Sequence, residues 1–143
     1  NDNEVFGSYT HLGGKIGVLV LLSGGTEELA RDIAMHAAAA NPRYLDRSQV
    51  PSEVIEKEKE IYAEQLKTQG KPASIIENIL KGKLEKFYEE VCLVDQAYIK
   101  DDTKKICQLL GNGAIIKKFV RYELGEGIEK KIGNFVAEVN AQL

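Results

Sequence analysis

His11, His36, Cys92 and Cys107 are the residues best suited to bind a metal or attack a substrate. Their scattered spacing matches no zinc-ligand pattern, so no metal and no cofactor are expected. Two cysteines also fall short of a disulfide framework. Both sit among apolar neighbours and read as small core side chains rather than nucleophiles. Phosphate chemistry finds no support either: neither G-x-x-x-x-G-K-S/T nor G-x-G-x-x-G occurs. Gly125-Glu126-Gly127 reads as a strand terminator. Ser23-Gly24-Gly25 lies between an apolar run and a helix start, where backbone N–H groups can hold an anion. A plain strand-to-helix connection is the preferred reading of it. Glu53 and Lys57, four apart, read as a solvated helix face. No catalytic constellation emerges, and an enzyme is not expected.

His36 stands out. It lies in Ile33-Ala34-Met35-His36-Ala37-Ala38-Ala39, a stretch whose small side chains let another element approach closely. Two readings are open: a histidine satisfied at the edge of a core, or an exposed contact residue on a thin helix. Composition does not choose between them.

The elements that must hold these residues follow from the pattern. Tyr9 to Leu12 has strand composition, Gly13-Gly14 is a two-residue hairpin turn, and Ile16 to Leu22 reads as a strand buried on both faces or nearly so. Thr26 is a helix N-cap followed by Glu27 and Glu28, and Asn41-Pro42 ends that helix. From about Pro51 to Glu90, Glu and Lys are dense around two narrow apolar stripes. The first holds Val54, Ile55, Ile61, Tyr62 and Leu66. The second holds Ile76, Leu80, Leu84, Phe87 and Val91, with a capping box at Ser74 and Glu77. Gly70-Lys71-Pro72 joins them into an antiparallel helical hairpin, expected to project from the body because its stripes are narrow. Thr103 is expected to cap a short helix holding Ile106, Leu109 and Leu110. Ala114 to Leu124 reads as the longest strand, with Ile116, Val120, Tyr122 and Leu124 on one face. A last helix spans about Lys131 to Ala141, and a third short strand is expected near Leu93 to Ile99. The fold class is therefore α+β: a small antiparallel sheet packed against helices, with an inserted helical hairpin.

Composition bounds the function. The 143 residues are 43% hydrophobic and 29% charged, a globular balance. Nineteen Lys and Arg against 22 Asp and Glu give a net charge of -3. That argues against nucleic-acid or membrane binding through bulk charge. The run from Ile16 to Leu22 is too short to span a bilayer. No signal peptide is visible. A cytoplasmic protein is expected. The first residue is Asn rather than Met, and the chain is read as a cytosolic soluble protein or a piece of one.

Together, these segments resemble bacterial elongation factor Ts. The resemblance rests on Tyr9-x-His11-x-Gly13-Gly14-Lys15-Ile16-Gly17-Val18-Leu19-Val20, on Asp32-Ile33-Ala34-Met35-His36-x-Ala38-Ala39 and on Asn41-Pro42. It continues through Glu56-Lys57-Glu58, Gly70-Lys71-Pro72, Gly82-Lys83-Leu84-x-Lys86-Phe87 and Phe119-Val120-Arg121-Tyr122-Glu123-x-Gly125-Glu126-Gly127-Ile128-Glu129-Lys130. The resemblance implies a guanine-nucleotide exchange factor that acts on elongation factor Tu without binding nucleotide itself. It also implies a division into residues 1–50 and 91–143, a core subdomain with a C-terminal helix, and residues 51–90, an inserted coiled-coil hairpin through which self-association is possible. Ile16, Gly17 and His36 are carried over as partner contacts, with Phe135 in the C-terminal helix beside them. The family's Thr-Asp-Phe-Val segment, which reaches the partner's Mg²⁺ site, does not occur in these residues. Docking without full exchange is therefore expected. The competing readings are a structural or dimerisation module built on the helical hairpin, and a small-molecule enzyme using Ser23-Gly24-Gly25 and His36.

Overall fold

A computed structural model describes residues 3–125. In chain order the elements are β1 (Glu4–His11), β2 (Ile16–Ser23), α1 (Glu27–Ala40), α2 (Ser52–Thr68), α3 (Ala73–Val91), β3 (Ala97–Tyr98), β4 (Asp101–Lys105), α4 (Ile106–Leu110) and β5 (Ile115–Glu123). This is the expected α+β fold. The helix expected over Lys131 to Ala141, with Phe135, lies outside the described residues.

β2 is the central strand of an antiparallel sheet ordered β1-β2-β5. Ile16, Val18, Val20 and Leu22 are buried, while the residues between them are not. The expectation of burial on both faces is corrected, since Leu19 is 55% exposed. An antiparallel sheet covered on one side alternates in this way. The covering element is α1, whose Ala30, Ile33, Ala34 and Ala37 are fully buried in the same core. Its N-cap is Thr26, whose side-chain oxygen accepts from the Leu29 amide at 3.2 Å. Its C-cap is Asn41 in the left-handed region.

The hairpin turn is longer than expected. Leu12, Gly13 and Gly14 all have positive φ, and the turn runs from Leu12 to Lys15. In β5 the expected face is corrected as well. Leu21 pairs with Lys118 but Leu22 pairs with Ile116, so Lys117 is an extra residue. Such a bulge exchanges the faces beyond it. Ile116 turns into the core, while Val120 and Tyr122 pair with Leu19 and Gly17 on the open face. β3 pairs with β4 in a separate ribbon and does not join the main sheet. Thr103 lies within β4, and the residue that caps α4 is Lys105.

α2 and α3 pack on each other, and their only buried residues are Leu66, Phe87 and Val91. The expected capping box is corrected: Pro72 precedes α3 and Ser74 falls inside its first turn. Proline suits this place because its missing N–H would be unpaired there anyway. At the base of the pair, Val50, Phe87, Val91 and Cys92 form a second small core. Arg47 grips Glu85 through two bonds of 3.0 and 2.8 Å, holds Asp95 at 2.9 Å, and lies over the Tyr88 ring. The hydrogen bonds to Asp95 and then Glu85 hold its guanidinium firmly protonated.

Candidate partner-docking surface

The β1–β2 turn forms one end of the sheet. At this end Leu12 is 60% exposed, Tyr122 70% and Leu124 80%. Tyr122 belongs here because it pairs with Gly17, and the Leu124 amide donates to the Lys15 carbonyl at 2.7 Å. His11 is exposed at the same end but on the opposite face of the sheet from Tyr122, stacked on Tyr9 with ring centroids 5.9 Å apart. The Tyr9 hydroxyl and His11 Nδ1 lie 3.1 Å apart, which fixes the imidazole's direction. Exposed apolar side chains and one oriented polar ring at the end of a packed sheet suit protein recognition more than bond-making chemistry. The open face of the sheet adds Leu19 and Phe6.

The sequence-derived contacts fall differently. Gly17 lies on the open face, and a Cβ built there meets nothing within 4 Å. Ile16 is 7% exposed and belongs to the core under α1. Its side chain faces inward, because it alternates with Gly17. His36 is corrected most firmly: it is fully buried, so the exposed-contact reading of its side chain does not hold. Ile99 N–H donates to its Nδ1 at 3.3 Å, which leaves the ring proton on Nε2, donating to Gln96 Oε1 at 2.9 Å. Gln96 Nε2 in turn donates to the Glu90 carbonyl at 2.7 Å. A buried neutral imidazole therefore ties α1 to the end of α3 and to β3.

Burial is the larger influence on His36 and lowers its pKa, with the Gln96 bond opposing. The unfolded chain therefore takes up this proton at a higher pH than the folded one. Stability is complete above the unfolded value, near 6.5, and falls as pH drops from there toward the lowered folded value. The slope from this one group is at most about 1.4 kcal/mol per pH unit. Urea midpoints between pH 7.5 and 5 should fall in the native chain. His36→Ala should lose this component of the slope and also about 2–4 kcal/mol at neutral pH, through unpaired Gln96 and Ile99 groups and a cavity. An unchanged midpoint in that variant would contradict the buried network.

The other candidates fit a non-catalytic site. Burial pushes the Cys92 thiol up to about 11, so it is no nucleophile at neutral pH. Cys107 is exposed, against the expected core placement. A Cβ at Gly24 would collide with the Gly113 carbonyl, so the Ser23-Gly24-Gly25 turn is packed against backbone. Among the described residues, no group of His, Cys, Asp and Glu is placed to hold a metal ion.

A family model described as Elongation factor TS matches residues 1–126. The chain belongs to the elongation factor Ts family. It is 48% identical to an elongation factor Ts from Pediococcus pentosaceus, over 99% of this chain and 49% of that protein. Identity is 52% to one from a Nitratiruptor species, over 97% and 50% of the two chains, and 54% to one from Halothermothrix orenii, over 96% and 48%. The chain thus spans about half the length of the curated elongation factor Ts relatives it matches. Among its described residues, no helix is long and apolar enough to cross a membrane.

Proposed function

We propose that this chain carries a docking part of a guanine-nucleotide exchange factor for elongation factor Tu, acting in the cytoplasm during translation. The observation that carries the reading is the exposed turn end of the sheet, where Leu12, Tyr122 and Leu124 leave large apolar side chains in solvent and His11 is exposed on the opposite face from Tyr122. Exchange needs no reacting side chain. A factor that binds the nucleotide-free partner more tightly than the nucleotide-bound one must weaken nucleotide binding by the same factor. Family membership agrees with that mechanism.

The same reading divides the chain into a core over residues 1–50 and 91–143 and an inserted helical hairpin over residues 51–90. Self-association through the hairpin is supported by Ile61 and Ile75, which are 41% and 47% exposed on it. Gly17 serves as a place of close backbone approach. Ile16 and His36 act by positioning the strand and helix beneath the surface rather than by touching the partner.

His11→Ala is expected to weaken binding to elongation factor Tu by about 1–3 kcal/mol, as for an interface anchor. Its thermal stability should stay within a degree or two of the native chain, since the ring is exposed. Calorimetric titration checks both. Unaltered affinity with a folded variant would move the docking site away from this end of the sheet.

A further inference from the structure

A cleft runs along the outer edge of β5. The opposite wall is the segment after α1, from Asn41 to Gln49. The cleft has two adjoining parts of about 550 and 250 Å³, lined in part by Arg43, Gln49, Lys117, Lys118, Phe119 and Arg121. β5 is the last strand of its sheet, so among the described residues its second edge has no strand partner. The facing segment does not satisfy it. Arg43 and Tyr44 amides donate to the Val91 carbonyl, while the carbonyls of Tyr44 and Leu45 accept from Leu93 and Val94.

Every ionisable residue lining the two parts is a cation. Lys117 is paired with Glu4, and Arg121 with Glu123. Arg43 and Lys118 have no carboxylate partner among the described residues. Arg121 is nine-tenths buried, gives Nη2 to the Ala38 carbonyl and keeps Nε without an acceptor. Lysines on an edge strand repel a second copy of the same edge and favour a strand of opposite charge.

We propose that this cleft receives an extended, acidic segment of the partner protein, which adds to β5 as a fourth strand. Backbone pairing to the free edge supplies affinity, and carboxylates reaching Arg43, Lys118 and Arg121 supply selectivity. The cleft reaches the docking end of the sheet, because Arg121 pairs with Val18, close to the β1–β2 turn. The proposal deepens the docking reading above and rests on it for which protein carries the segment.

The test pairs hydrogen exchange with charge reversal, using the 143-residue chain and nucleotide-free elongation factor Tu. Amides of Lys117 to Arg121 that exchange freely in the chain alone should become protected in the complex. Arg43→Glu combined with Lys118→Glu should weaken binding by about tenfold or more at low salt, with the loss shrinking as salt rises. A complex that protects only the β1–β2 turn, with unchanged affinity in the double variant, overturns the cleft and leaves the docking reading intact. Failure of the native chain to bind at all overturns the docking reading itself.

Discussion

Gly7→Ala should be the most damaging single-methyl change in the described body. Gly7 is buried where β1 passes under α1, and a Cβ there would lie 2.5 Å from both the Ala30 carbonyl oxygen and the Arg31 nitrogen. Those are backbone atoms in mid-helix, so the whole helix must lift off the sheet. Overpacking typically costs 1–3 kcal/mol, and a collision with backbone belongs at the top of that range, about 3 kcal/mol. For a chain of this size the melting temperature should fall by about 10 °C. Gly17→Ala is the matched control in the neighbouring strand. Its Cβ meets nothing, and its stability should stay within about 0.5 kcal/mol of the native chain. Thermal scans of the two variants decide the matter. Equal tolerance at both positions would contradict the packing of α1 directly on β1.

Local chemistry made much of this fold legible. Thr26 and Asn41-Pro42 marked both ends of α1 because caps act within one turn. The charged helical pair was legible because the second stripe repeats every three to four residues and the first keeps its apolar side chains on one helical face. What failed depended on distant partners or on backbone choice. The fate of His36 is set by Gln96, sixty residues away, and by the Ile99 amide, so no local pattern shows that it is enclosed. The Lys117 bulge breaks the period of two without a glycine to announce it. Leu12 takes a positive φ that its side chain disfavours, which made the turn look shorter than it is. The docking end was partly legible. Tyr9-x-His11 beside Gly13-Gly14 is a polar aromatic pair at a strand end, a signal passed over in favour of the histidine on the helix.

The second large effect is functional. In these 143 residues there is no Thr-Asp-Phe-Val segment to reach a partner's Mg²⁺ site. The docking end offers apolar contact and one imidazole, and the cleft along β5 offers cations. Neither distinguishes nucleotide-bound from nucleotide-free partner by touching nucleotide or metal. A ligand with equal affinity for two states shifts nothing, however tightly it binds. Under the proposed reading, binding and exchange are therefore expected to separate, with docking but not full exchange retained by these residues.

Stopped-flow release of a fluorescent GDP analogue from elongation factor Tu, at saturating concentrations of this chain, tests that separation most directly. Saturable binding is expected, with an acceleration below about a tenth of that given by an intact relative, a difference of at least about 1.4 kcal/mol in the barrier to release. Acceleration equal to the intact relative's would show that the coupling lies within these residues and would contradict the account.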